Sequence, residues 1–325
     1  MFEWLVGLAL FLLSWFITFR VYRHAQTHQW MDHPNARSSH TVPTPKGGGL
    51  AFVIVFSAVL VWQELYALAV AGLAVAMIGW LDDHKPMSPY LRLMVHLFAA
   101  TLVVFTSDPM VDLPWLAALV GHPVVYGTLF VLALVWMINL TNFMDGIDGL
   151  AATQTVTTAL STGLILFWVY GEAGQAGLYL ALAMTVFGFL VWNWPPAKIF
   201  MGDVGSGFLG MIVGGLFFYS AGFNSNVLWI GLILYAVFIV DATVTLFKRL
   251  AARQSVLEPH NNHSYQMAAR YLGSHRKVTL AVMAINLVFL LPIAYWVAIE
   301  LIEAWFGLML VYLPLTLIAF KMKQL

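Results

Sequence analysis

The chain has no cysteine and little charge: lysine, arginine, aspartate and glutamate make up 9% of its 325 residues. Without cysteine there is neither a disulfide framework nor a thiolate metal site. Soluble domains carry about 25% charged residues, so so sparse a complement excludes an ordinary soluble fold. Long polar stretches are also missing, which leaves no room for a separate soluble domain. Fifteen basic residues balance fifteen acidic ones, so no field attracts nucleic acid, and no nucleic-acid partner is expected. What remains is apolar: 61% of the residues are hydrophobic.

A helix rises about 1.5 Å per residue, so about 20 apolar residues cross a hydrocarbon core of about 30 Å. Such runs recur at 3–22, 47–63, 65–81, 90–106, 124–141, 149–169, 176–193, 206–222, 227–247, 278–299 and 304–320. They predict an all-α, polytopic membrane bundle of about eleven spans, forming one domain over 1–325. Only Gln63 and Glu64 separate the second run from the third. With eleven spans, every lysine and arginine falls on one face, as do eight of the ten histidines. The opposite loops hold acids such as Glu64, Asp108, Asp112, Glu172 and Glu303. Basic residues are retained in the cytoplasm, so the amino terminus is expected outside and the carboxyl terminus inside. The start, "MFEWLVGLALFLL", lacks basic residues, and no cleavable signal peptide is expected.

The basic face also gathers aspartates at helix ends, in loops 24–46, 82–90, 139–149, 193–206 and 248–278. Inner loops must be polar in any case, and solvation alone accounts for the lysines. It does not account for aspartates set among glycines. In "MDHPNARSSHTVPTPKGGG" (31–49), three prolines resist helix and Lys46 precedes a glycine run. A plain proline-rich connector remains the alternative there. In "GWLDDHKPMSPYLRL" (79–93), Asp82 and Asp83 end a helix against its macrodipole. Lys85, Arg92 or a bound cation must compensate them.

In "NLTNFMDGIDGLAA" (139–152), Asp145 and Asp148 share a face if the segment is helical, with the Asn142 carboxamide on the side of Asp145. Hard oxygens of this kind suit magnesium, which binds one or two carboxylates plus waters and substrate phosphates. The alternative is a helix stop with a solvated turn. "NWPPAKIFMGDVGSGFLG" (193–210) repeats the device with Asp203, and Ser206 is a candidate cap at a phosphate-favouring helix start. Phe200 offers a ring for stacking on a base, or a core aromatic. The loop "EPHNNHSYQMAARYLGSHRKVT" (258–279) carries His260, His263, His275, Arg270, Arg276 and Lys277. Diphosphate donors fit this cationic setting better than a zinc site.

Taken in order, these five segments resemble the polyprenyl-phosphate N-acetylhexosamine-1-phosphate transferases, also called glycosyltransferase family four. The "HNNHSYQ…GSHRKVT" ending is similar to the O-antigen initiating branch and departs from the peptidoglycan branch, which has consecutive histidines there. The resemblance implies a reaction in which a UDP-N-acetylsugar and undecaprenyl phosphate give undecaprenyl-diphospho-sugar and UMP. It implies magnesium, or manganese in its place, and a site facing the cytoplasm at the inner membrane of a bacterium. By motif, Asp203 is similar to the metal aspartate, with Asn142 as second ligand, and Asp82 and Asp83 to the pair near the lipid phosphate. Asp145, Asp148, Asn193 and Phe200 resemble the nucleotide pocket, and His260 and His263 the diphosphate motif, with Lys46 and Arg276 as further substrate contacts.

A secondary transporter is the main alternative, with Asp241 inside the ninth run as its best intramembrane carboxylate. An aspartyl protease lacks an evident partner for "MGDVG", and a CDP-alcohol phosphotransferase lacks the later aspartates. A homodimer is compatible with the sequence, although the Gly210/Gly214 spacing is a weak packing cue.

Overall fold

A computed structural model describes residues 2–34, 41–106, 120–254 and 261–322. It is helical almost throughout, because a backbone crossing lipid must satisfy its own hydrogen bonds. The helices are α1 (Phe2–Thr27), α2 (Leu50–Trp62), α3 (Tyr66–His84), α4 (Pro89–Thr106), α5 (Pro123–Phe143), α6 (Leu150–Trp168), α7 (Ala173–Asn193), α8 (Asp203–Phe223), α9 (Asn226–Leu234) and α10 (Ala236–Ala251). They continue as α11 (Ser264–Leu272), α12 (His275–Ala284), α13 (Leu291–Ala298) and α14 (Ala304–Lys321), with a π-helical turn, Ile285–Leu290, joining α12 to α13.

Each of the eleven expected apolar runs falls on a helix or a joined pair. Among the described residues, nine helices are long and apolar enough to cross a membrane, or ten if the bent pair α9–α10 is one span. The second expected run yields only the 13-residue α2, about 20 Å long. Its front end is pulled out of helix by sheet-like bonding, since Gly48 N and Gly49 N donate to the carbonyls of Phe200 and Met201 at 2.9 and 3.0 Å.

The ninth run is broken by 69° between α9 and α10. The break frees the Leu234 carbonyl, which accepts instead from Gln154 Nε2 (2.9 Å) and Thr158 Oγ1 (3.2 Å) on α6. The π-helical turn precedes Pro292, which lacks the N–H that would continue the helical ladder. Its Asn286 Nδ2 donates to Gln154 Oε1 (2.9 Å) and Thr157 Oγ1 (2.8 Å). The two irregular points of the bundle therefore share one buried polar knot on α6.

α8 is the hub: α3 and α5 pack on it, α6 and α7 pack together, and α1 lies outside α7. Across its 18-residue apolar window α8 is 94% buried, against 17% for α1 and 22% for α14. Small residues let neighbours approach it. A Cβ on Gly210 would sit 2.5 Å from the Met137 carbonyl, and one on Gly214 2.9 Å from Leu134 Cδ2, both on α5. The Gly210/Gly214 spacing thus serves packing inside one chain. A second cluster joins α9, α10, α13 and α14 around Ile230, Ile233, Ile293, Val297 and Val311.

The polar segments meet at one end of the bundle. There the first loop forms a short antiparallel ribbon, β1 (Met31–Asp32) with β2 (Thr44–Pro45), in the register Met31↔Pro45. The ribbon is anchored on the fourth polar segment by Phe200 N donating to the Pro45 carbonyl (2.8 Å).

Candidate active site

A cavity of about 290 Å³ opens where these segments converge. Asp32, Lys46, Asp83, Asn142, Asp145, Asp148, Asn193, Phe200, Asp203, Gln266 and His275 line it, so each of the five segments contributes. Two local features aim it. Gly202 holds φ +79°, a left-handed value that L side chains avoid, and ends the incoming loop directly before Asp203 starts α8. A carboxylate in the first turn also suits the positive end of that helix. Opposite, α3 reaches α8 backbone to backbone, because a Cβ on Gly79 would collide with the Asp203 carbonyl. Ser206 lies within the first turn of α8 and is not its cap; Gly202 occupies that position.

The adjacent aspartates have different surroundings. Asp82 is clamped: Oδ1 accepts Met87 N and Oδ2 accepts Arg92 Nη1, both at 2.6 Å. The same Arg92 nitrogen stands 3.6 Å from Asp203 Oδ2. Asp83 faces the cavity, its Oδ2 accepting Val204 N (3.2 Å). Lys46 Nζ bonds the Asp83 carbonyl at 2.5 Å and lies 3.9 Å from Oδ1. Lys85 is exposed, so Arg92 and Lys46 supply the compensation. Asn142 Nδ2 donates to Asp203 Oδ1 and to Ser206 Oγ, each at 2.9 Å, which ties α5 to α8.

Beyond this centre, two further residues brace the loops. Asp148 Oδ2 accepts Ala197 N (3.1 Å), and Oδ1 lies 3.2 Å from His275 Nδ1, an ion pair when that histidine is protonated. Asn193 spends both ends of its amide on backbone: Oδ1 accepts Gly149 N and Nδ2 donates to the Ile199 carbonyl, both at 2.9 Å. Asn193 is 3% exposed, and both it and Asp148 hold their segments as well as lining the cavity.

Asp145 differs from all of these. Among the described residues it receives no side-chain hydrogen bond and no counter-cation. Burial first, then the carboxylates of Asp203, Asp83 and Asp148, push its carboxyl well above the usual range. Five carboxylates line one small cavity, more negative charge than Lys46 and Arg92 balance. Such an excess, borne by hard oxygens, suits a divalent cation, and Asp203 and Asn142 are the residues that could hold one. Among the described residues, no three histidine, aspartate or glutamate side chains cluster tightly enough to make a full metal shell.

Two expected contacts lie elsewhere, and a third falls outside the described residues. Arg276 is exposed on the first turn of α12 and does not line the cavity. His263 is buried against Asp241, Nδ1 to Oδ1 3.6 Å, and stacks near Phe143 and Tyr265. His260 lies outside the described residues. Conversely, Asp32 and Gln266 line the cavity unforeseen. Nothing in local spacing marks the Asp148–His275 pair, whose members stand 127 positions apart.

Residues 65–221 match the family described as Glycosyl transferase family 4. A Bacillus subtilis protein, "Probable undecaprenyl-phosphate N-acetylglucosaminyl 1-phosphate transferase", is 29% identical over 294 residues, covering 87% of this chain and 81% of its own. A Mycolicibacterium smegmatis "Decaprenyl-phosphate N-acetylglucosaminephosphotransferase" is 32% identical over 316 residues, covering 86% and 78%. A Streptococcus pneumoniae "Phospho-N-acetylmuramoyl-pentapeptide-transferase" is 32% identical over 235 residues, covering 63% and 69%.

Proposed function

The chain belongs to glycosyl transferase family 4, the polyprenyl-phosphate N-acetylhexosamine-1-phosphate transferases, and from that premise we propose that it moves an N-acetylhexosamine-1-phosphate from a UDP-sugar to undecaprenyl phosphate. The products are undecaprenyl-diphospho-N-acetylsugar and UMP, and the step starts O-antigen or a related envelope polysaccharide. The observation that carries this reading is the meeting of five polar segments at one end of a membrane bundle, around carboxylates short of positive charge. In this reading the whole chain is one catalytic domain in a bacterial inner membrane. The site faces the cytoplasm, where the nucleotide is dissolved and the basic residues lie.

Two anions must meet here, and unit charges about 4 Å apart repel by about 4 kcal/mol at an effective dielectric near 20. Asp203 and Asn142 would hold magnesium, which when bound would supply neutralising charge. Lys46 and Arg92 lower the remaining repulsion. An oxygen of the lipid phosphate attacks the sugar-linked phosphorus, the new P–O bond forms, and the bridging P–O bond breaks to release UMP. A phosphate monoester with a second pKa of about 6 is largely dianionic at neutral pH, so a strong base is unnecessary. Asp83, which faces the cavity, orients the acceptor and takes any residual proton. Asp82, clamped by Arg92 and the Met87 amide, holds Arg92 toward Asp203. Asp145, Asp148 and Phe200 form the nucleotide side of the cavity, braced by Asn193 and His275.

Relatives of both sugar classes align, and those named for N-acetylglucosamine cover more of the chain than the pentapeptide transferase. That balance supports a simple N-acetylsugar. Purified protein in detergent, given undecaprenyl phosphate, magnesium and a panel of UDP-N-acetylsugars, is expected to form one lipid-diphospho-sugar visible by mass spectrometry. Chelation with EDTA is expected to stop it. No lipid product from any sugar defeats the reading, and a labelled UMP–enzyme adduct formed without acceptor defeats the direct attack. A transporter reading is not favoured, since it forms no such product and its best residue, Asp241, has another use.

A further inference from the structure

Asp241 is 6% exposed and is absent from the cavity wall. A carboxylate within a span is costly and needs partners, and this one finds two of them on a different helix. Oδ1 accepts Ser264 N (2.8 Å) and Thr245 Oγ1 (3.2 Å), while Oδ2 accepts Tyr265 N (2.9 Å). The first N–H groups of a helix have no acceptor within it and form its positive end. Asp241, carried by α10 just past the bend, therefore caps α11 from outside. The residue at the N-cap position, His263, packs beside the same carboxylate, and its N–H donates to Gln266 Oε1 (3.3 Å).

From this anchor α11 reaches the cavity. Tyr265 Oη donates to the Phe143 carbonyl (2.9 Å). The same hydroxyl and the Gln266 amide close over Gly146, where a Cβ would sit 2.8 Å from Gln266 Nε2. Phe143 and Gly146 flank Asp145, so one short helix covers the loop carrying the least compensated carboxylate.

We infer that Asp241 is a positioning residue: by capping α11 it presses Tyr265 and Gln266 onto residues 143–146 and sets the cavity wall that receives the nucleotide-sugar. The kinetic half of this inference rests on the proposed transfer reaction; the structural half does not. The test uses the full-length protein in detergent. In Asp241→Asn, hydrogen exchange is expected to quicken in 264–272 and 143–149 and to stay unchanged in the other helices. The KM for the UDP-sugar is expected to rise about tenfold with kcat and the lipid KM within about twofold. Tyr265→Phe, which removes only the far contact, is expected to quicken exchange in 143–149 alone. The double variant is expected to fall short of the product of the two KM effects, because both act through one contact. Unchanged exchange in 143–149 in either variant overturns the inference, as does a uniform loss of protection across all helices. Exchange needs no turnover, so a wild-type protein that makes no lipid product defeats the reaction while exchange still decides the placement.

Discussion

Replacing Arg92 with alanine should do more damage than its surface position suggests. Its Nη1 donates to Asp82 Oδ2 at 2.6 Å and stands 3.6 Å from Asp203 Oδ2, with the arginine side chain 34% exposed and the two carboxylates 14% and 37%. Unit charges about 4 Å apart attract by about 4 kcal/mol at an effective dielectric near 20. Desolvation and side-chain ordering at a site one-third open leave about 1–3 kcal/mol of that. Removing the guanidinium also leaves Asp82 and Asp203 facing each other beside an anionic substrate. At about 1.4 kcal/mol per decade, kcat/KM should fall about tenfold to a hundredfold, measured as lipid-linked product against UDP-sugar concentration. Asp82→Asn in the Arg92→Ala background should recover part of the loss, since it removes the stranded charge. Arg92→Lys should be intermediate, keeping the charge without the planar fork. Arg92→Ala protein that is monodisperse, helical by circular dichroism and within twofold of wild type would refute this account.

Asp203→Asn should lower transfer by more than about a hundredfold, beyond the 10–100-fold loss usual for outer-shell partners of a metal, with helical content and gel-filtration behaviour unchanged. Asp145→Asn should raise the melting temperature of EDTA-treated protein at pH 8 by about 2–4 °C, for a gain near 1 kcal/mol. The folded carboxyl lies above its unfolded value, so ionisation costs stability as pH rises past the ordinary carboxylate value near about 3.9. The benefit of asparagine should therefore vanish as pH falls toward about 4, and an equal gain at every pH would contradict the assignment. Gly79→Ala should cost about 1–3 kcal/mol by overpacking and reduce transfer more than that loss of stability explains, because the added methyl meets the Asp203 carbonyl. Melting curves and activity on the same preparation separate the two effects.

The apolar runs were legible because their length is imposed by the bilayer. Every expected run is helical, and the five polar segments do meet. What one dimension could not carry is how far an apolar run stays regular. No proline marks the break at Tyr235; it persists because Gln154 and Thr158, on another helix, take the freed carbonyl. Nor does adjacency tell Asp82 from Asp83, whose surroundings differ according to which one Arg92 and the Met87 amide reach. Asn142 and Asp203, 61 positions apart, touch directly, and their motifs announced oxygen chemistry but not contact. Asp241 looked like an intramembrane ion site because a buried acid and a helix cap are indistinguishable until the capped helix is seen. Arg276 joined the expected donors by its charge alone, and a helix face turned it to solvent.

Placing Asp203 at the tip of the most enclosed helix has a practical corollary for handling the protein. Solubilisation strips the annular layer from peripheral members such as α1 and α14, whereas α8 touches almost none of it. Loosening caused by harsh surfactants should thus progress from the periphery inward, and catalytic competence should outlast the first spectroscopic signs of fraying.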